Sequence, residues 1–115
     1  MRDFAKTKIR YMRDPLPVRL GGLAANLARI RSNSDHPANR DVVMSIIHES
    51  KHFIEWTAAE AEPEIAVELV ELQLQLARWQ RTWEFIWPDI ERRADVARQA
   101  KQWSDQVMDW SGLLN

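Results

Sequence analysis

One row of apolar residues constrains this chain more than any other feature. Ile65, Leu69, Leu72, Leu76, Trp79, Trp83 and Ile86 follow one another at spacings of 4, 3, 4, 3, 4 and 3. That alternation keeps every member on one side of a helix with 3.6 residues per turn. It predicts a helix from about Pro63 to Ile86, with Pro63 and Glu64 suited to its first turn. No segment shows the period-two alternation of β-branched residues that marks a strand.

Three further stretches carry the same signature. Leu16, Leu20, Leu23, Leu27 and Ile30 form a seam that starts behind Asp14-Pro15-Leu16-Pro17, a sequence that blocks helix continuity and sets up a new start. Gly21 and Gly22 lie beside this seam, and paired glycines there suggest another backbone passing close by. Arg31 to Pro37 reads as a loop rich in capping and turn residues. A helix from about Asn39 to Glu60 has the seam Val43, Ile47, Ser50, Ile54, Thr57 and Ala61, widened by Val42, Ile46 and Phe53. Beyond Trp87-Pro88-Asp89, the seam Val96, Ala100, Trp103, Val107, Trp110 and Leu114 predicts a last helix, stopped at Gly112. No capping Ser, Thr, Asn or Asp precedes Pro88, so the last two helices could also be one kinked rod. The expected fold is all-α: a single domain over 1–115, an antiparallel up-down bundle of about four helices. Residues 1–13 form either a mobile basic arm or a short helix with Phe4, Ala5, Ile9 and Met12 along one side.

Apolar residues at 45 % and charged residues at 29 % suit a globular domain. No apolar run approaches the roughly 20 residues that cross a bilayer, so no membrane insertion is expected. The N-terminal residues carry positive charge without the apolar stretch of a secretory signal. The absence of cysteine excludes disulfides and thiolate chemistry, and a cytoplasmic location is expected. Charge is distributed unevenly. Eight Lys and Arg face two acids in residues 1–31, two face nine acids in 32–76, and six face six in 77–115. Two oppositely charged faces attracting each other within the bundle account for this pattern. Arg2, Lys6, Lys8, Arg10 and Arg13, with Tyr11 for stacking, are the residues a nucleic acid would use. The acidic overall balance and the lack of a basic helical stripe argue against that partner.

The segment Ile46 to Trp56 contains His48-Glu49-Ser50-Lys51-His52, a literal H-E-x-x-H. In zinc hydrolases that spacing puts two imidazoles one turn apart on a metal, with the glutamate as base. On a helical wheel His48 and His52 fall at roughly 240° and 280°, against a core centred near roughly 70°. They are therefore expected on the outer face, with Asp41, Ser45, Glu55 and Ala59 as neighbours. His36 is the third histidine and sits in a loop, so a metal at His48 and His52 would rest on a shallow surface site completed by Glu55 or Asp41. The E-x-x-H of di-iron bundles, Glu49 to His52, occurs once, where that chemistry uses two.

His48-Glu49-Ser50-Lys51 also resembles the first four places of H-x-x-K-G, the motif of histidine phosphotransfer domains. The resemblance implies a four-helix bundle whose outward imidazole, here His48, accepts phosphate from a response regulator. The fifth place departs from the motif: His52 stands where that family has glycine.

The long helix also bears a second apolar stripe, Val67, Val70, Leu74, Ala77 and Phe85, opposite its seam. A helix apolar on two sides is either central in its own fold or meets a partner. Of the six tryptophans, Trp79, Trp83, Trp103 and Trp110 lie on seams and belong to the core. Trp56 and Trp87 lie off or at the edge of their seams and are candidates for a contact surface. No catalytic set and no cofactor motif stands out. The expected function is association, with a second copy of the chain or with another protein, through Val67, Val70, Leu74, Phe85, Trp56 and Trp87.

Overall fold

A computed structural model describes residues 4–114. Six helices follow in chain order: α1 (Ala5–Met12), α2 (Leu16–Asn33), α3 (Arg40–Thr57), α4 (Pro63–Arg81), α5 (Trp83–Ile86) and α6 (Ile90–Ser111). Short 3-10 turns, Pro37–Asn39 and Ala58–Glu60, lead into and out of α3. No strand occurs among the described residues. Contacts at the two ends give the directions. At one end Arg19 of α2 meets Glu60, and Gly21 lies against Leu113. At the other, the Trp87 indole reaches the Pro37 carbonyl. The four long helices therefore run up, down, up and down.

The seams fill the interior. Leu23, Leu27 and Ile30 of α2, Val43, Ile47 and Ile54 of α3, Leu69, Leu72 and Leu76 of α4, and Ala100 and Val107 of α6 are fully buried. Two residues of the expected seams are exposed: Val42, in the first turn of α3 where the helix has only begun to enter the bundle, and Leu114, because Gly112 turns the chain out of the helix at φ 73°.

The interhelical spacings follow from residue size. Between α2 and α6 the facing positions are small, and the Ser104 hydroxyl donates to the Ala24 carbonyl at 2.8 Å. The paired glycines themselves meet side chains rather than another backbone, Gly21 lying against Leu113 and Gly22 against the Tyr11 ring. Between α4 and α6 the facing residues are tryptophans, and the two backbones scarcely approach. Helix separation is set by the side chains at the contact, so one seam closes tightly and the other stays wide.

One helix boundary departs from the expected one, and one expected break holds. The helix from Pro63 is not continuous to Ile86 but breaks at Thr82, whose hydroxyl donates back to the Arg78 carbonyl at 2.8 Å. Such back-bonding competes with the regular ladder and bends helices. The last helix is separate rather than part of a kinked rod. Its cap is Asp89, which follows Pro88, and its carboxylate accepts from the backbone N–H of Glu91 and Arg92 at 3.0 and 3.2 Å.

Residues 5–12 are a helix, but of Phe4, Ala5, Ile9 and Met12 only Phe4 packs inward, against α3. Ile9 is 60 % exposed, whereas Thr7 and Tyr11 are buried. Tyr11 decides the register. Its ring stacks on Phe53 at 3.9 Å, and its hydroxyl donates to the Arg19 carbonyl at 2.7 Å while meeting Thr57 Oγ1 at 3.2 Å. An aromatic ring with a satisfied polar tip is a stronger anchor than a shorter aliphatic side chain.

Beneath it, the buried Arg19 guanidinium bonds both carboxylate oxygens of Glu60 at 2.8 and 2.9 Å, and the Asp14 carbonyl at 3.0 Å. Those bonds hold the Glu60 carboxyl below its ordinary range.

Burial pushes the Tyr11 hydroxyl up from 10.0 to about 12, against the opposing Thr57 hydrogen bond and the nearby Arg19 charge. Below the unfolded value both states are protonated, so the associated stability is fully present. As pH rises through the folded value, the unfolded chain ionises first and the stability is lost. The expected loss is about 2–3 kcal/mol. Urea unfolding measured up to about pH 12 should show this slope in the parent and a flatter one in Tyr11→Phe. Equal slopes would mean that Tyr11 does not link α1 to alkaline stability.

Candidate functional site

Three surfaces compete for attention: the outer face of α3, the outer face of α4, and the cleft between α4 and α6.

On α3, the one-turn spacing brings His48 and His52 together, with ring centroids 5.1 Å apart. His48 is exposed, as its wheel position implies. His52 is half-buried, because Phe4 at the head of α1 lies 4.2 Å from its ring and Trp56 lies 5.5 Å away on the other side. Phe4 also meets His48 edge-on at 5.1 Å. The result is a row of rings, Phe4, His48, His52 and Trp56, covering one side of α3. His52 Nδ1 lies 3.6 Å from Glu55 Oε2. Glu49 turns the other way and accepts from the Asn26 side chain at 3.0 Å. Asp41 is 92 % exposed and pairs with Arg40, and His36 is exposed in the loop. Among the described residues no group of three His, Asp or Glu side chains is arranged to hold a metal ion. Lys51, one turn on from His48, donates to Gln80 Oε1 on α4 at 2.7 Å.

On α4, the second stripe faces outward. Val67 is 63 % exposed, Val70 48 %, Leu74 46 %, and Phe85 beyond the Thr82 break 68 %. Glu64 and Glu71 flank its first half, and Arg78 and Arg81 flank its second half, all four exposed. The two tryptophans grouped with this surface go elsewhere. Trp87 is buried, which corrects its reading as a contact residue. Its indole N–H donates to the Pro37 carbonyl at 2.8 Å, its ring lies 5.2 Å from Trp83, and the Arg93 guanidinium sits 5.4 Å over its face. Carried on past Ile86, the wheel of the long helix sets Trp87 at the angle of Leu69, on the edge of the seam, and its burial follows that side. Trp56 is half-buried against the core, with Tyr11 at 5.9 Å and Phe53 at 6.1 Å. Tyr11 is likewise internal and unavailable for stacking on a base. Lys6, Lys8, Arg10 and Arg13 are exposed on and just after α1, while Arg2 lies outside the described residues.

The third surface is where α4 and α6 stand apart. Its lower end holds a hollow of about 370 Å³ lined by Glu64, Ile65, Glu68, Gln106 and Trp110. A second hollow, of about 290 Å³, adjoins it and is lined by Glu68, Gln102, Trp103 and Gln106. Toward the other end a further cleft of about 370 Å³ lies among Trp79, Ile86, Glu91, Arg92, Asp95 and Val96. Trp103 and Trp110 are legible in the sequence as seam residues of the last helix, but the gap they stand in, between α4 and α6, is not. No helix among the described residues is long and apolar enough to cross a membrane. The chain matches no protein-family model, no curated protein and no solved structure with which it was compared.

Proposed function

We propose that this chain acts by association, and that a second copy docks antiparallel on the outer face of α4. The observation that carries the reading is the exposed row Val67, Val70 and Leu74 in the middle of a helix whose opposite side is fully buried. Charge supplies the choice of partner. Acids flank the first half of the row and arginines the second, so a parallel copy would set like charges together. An antiparallel copy sets Glu71 toward the partner's arginines and opposes the helix dipoles favourably. With 19 residues, α4 is about 28 Å long and offers a strip near the lower size limit of specific interfaces. The expected dimer is therefore concentration-dependent, forming in the micromolar range or above.

Sedimentation equilibrium over a wide concentration range tests this. The parent should pass from one chain mass to two, and Leu74→Glu should remain at one with an unchanged helical circular dichroism spectrum. A parent that stays monomeric throughout, or a Leu74→Glu chain that still pairs, would remove the reading.

A second reading, phosphoryl transfer through His48, draws on the exposure of that imidazole on the outer face of α3. Against it stand the engagement of Lys51 by Gln80 and the His52 ring where the resembled motif has glycine. Incubation with phosphoramidate followed by mass spectrometry separates the two readings: phosphate on His48 supports transfer, and an unmodified chain removes it.

A further inference from the structure

We infer that the lower end of the α4–α6 cleft binds a small organic cation, an alkylammonium or guanidinium group, between the indoles of Trp103 and Trp110 and the carboxylates of Glu64 and Glu68. The two adjoining hollows share Glu68 and Gln106, so they form one concavity along α6. Their volumes, about 370 and 290 Å³, are those of small-ligand pockets rather than of water-sized defects. Both indoles are half-buried: each packs against the core and also lines its hollow, Trp110 in the first and Trp103 in the second.

The charge balance selects the ligand. Neither Glu64 nor Glu68 has an ion-pair partner among the described residues, and no Lys or Arg lines either hollow. Lys101, the nearest lysine in sequence to the lining of α6, is held by Asp105 at 2.7 Å. The upper cleft differs in this respect, since its Asp95 is paired with Arg98 and Arg92 sits in its wall. A cation with an apolar shell satisfies both halves of the lower site. Its charge meets the carboxylates and the negative faces of the indoles, and its methyl or methylene groups meet Ile65 and the ring surfaces. Gln102 and Gln106 add hydrogen-bonding groups that bring no opposing charge. An inorganic cation lacks the apolar half of this match, and a neutral molecule lacks the charged half.

Choline is a suitable probe, and 3,3-dimethylbutanol is its neutral counterpart of the same shape. The indole N–H resonances of the full chain, followed by NMR during titration, report the site directly. The signals of Trp103 and Trp110 should shift saturably with choline, while those of the buried Trp83 and Trp87 stay in place. Dimethylbutanol should bind roughly tenfold more weakly, and Glu68→Gln should weaken choline roughly fivefold. Glu68 is exposed, so this variant retains the fold, and Leu74→Glu should bind choline as the parent does. Linear, unsaturable shifts, equal binding of the neutral compound, or undiminished affinity in Glu68→Gln would each overturn the assignment.

Discussion

Trp83→Ala should lower the stability of the domain by about 3–5 kcal/mol, the largest loss expected from any single truncation. Trp83 is 2 % exposed and heads the largest fully buried side chains. It follows the break at Thr82, so its ring links α4 to the Trp87 end of the bundle at 5.2 Å. Alanine would leave a void there that neither helix can close, because Thr82 and Asp89 hold the chain on either side. A domain of this length has a total stability of about 6–17 kcal/mol, so the loss is a large fraction of the whole. Two controls make the measurement specific. Phe85→Ala, in the same short helix but 68 % exposed, should change stability by less than about 0.5 kcal/mol. Trp83→Phe should lose less than half as much as the alanine variant. It keeps an aromatic ring and deletes an indole N–H that finds no acceptor among the described residues. Urea unfolding of the three variants gives all of these values. A loss below about 1 kcal/mol for Trp83→Ala would mean that α5 is not packed as described.

Ala24→Leu should be the second most damaging change, by the opposite mechanism. Ala24 has no exposed surface, and its own carbonyl accepts from Ser104 across the α2–α6 seam at 2.8 Å. Three added carbons cannot enter without pushing α6 away and breaking that bond. Overpacking of this kind costs about 1–3 kcal/mol, with the lost hydrogen bond in addition. Ala28→Leu, one turn further along α2 and exposed, should be neutral within about 0.5 kcal/mol. If both variants unfold at the same urea concentration as the parent, the close approach of α2 and α6 is not a constraint on the fold.

Together these two variants probe the contrast that organises the molecule. Small residues close one seam and tryptophans hold the other open. The helices themselves were legible from spacing alone: every long helix coincides with a seam read from the order of apolar residues. The outward placement of His48 and of Val67, Val70, Leu74 and Phe85 also followed from periodicity.

What escaped was whatever depends on contacts distant in sequence. The register of α1 is set by Tyr11 meeting Phe53 and Arg19, so apolar spacing over its few turns chose the wrong side. Trp87 sits at the edge of its seam, where spacing alone does not choose between core and surface; the bond from its indole N–H to the distant Pro37 carbonyl fixes it inside. Asp89 is legible as an acid at the start of the last helix, but not as its hydrogen-bonding cap, because a cap is sought before Pro88. Arg19 carries no mark in the local sequence of a buried guanidinium, because its partner Glu60 lies across the bundle. The acidic, indole-lined cleft depends on interhelical distance, which periodicity does not encode.

The chain contains no cysteine, which allows one direct test of the proposed pairing. Single cysteines placed at Glu64, Val70, Leu74 and Arg81 of α4, with Ala28 of α2 as an exposed control, can be oxidised and resolved by mass. A disulfide requires Cα atoms about 4.4–6.8 Å apart, so the pattern maps the contact. An antiparallel pair predicts linked dimers for Val70→Cys and Leu74→Cys, and little linkage for Glu64→Cys or Arg81→Cys alone. Linkage should appear when those two terminal variants are mixed. Linkage no greater along α4 than at Ala28→Cys would contradict the account, as would equal self-linkage at both ends of the helix.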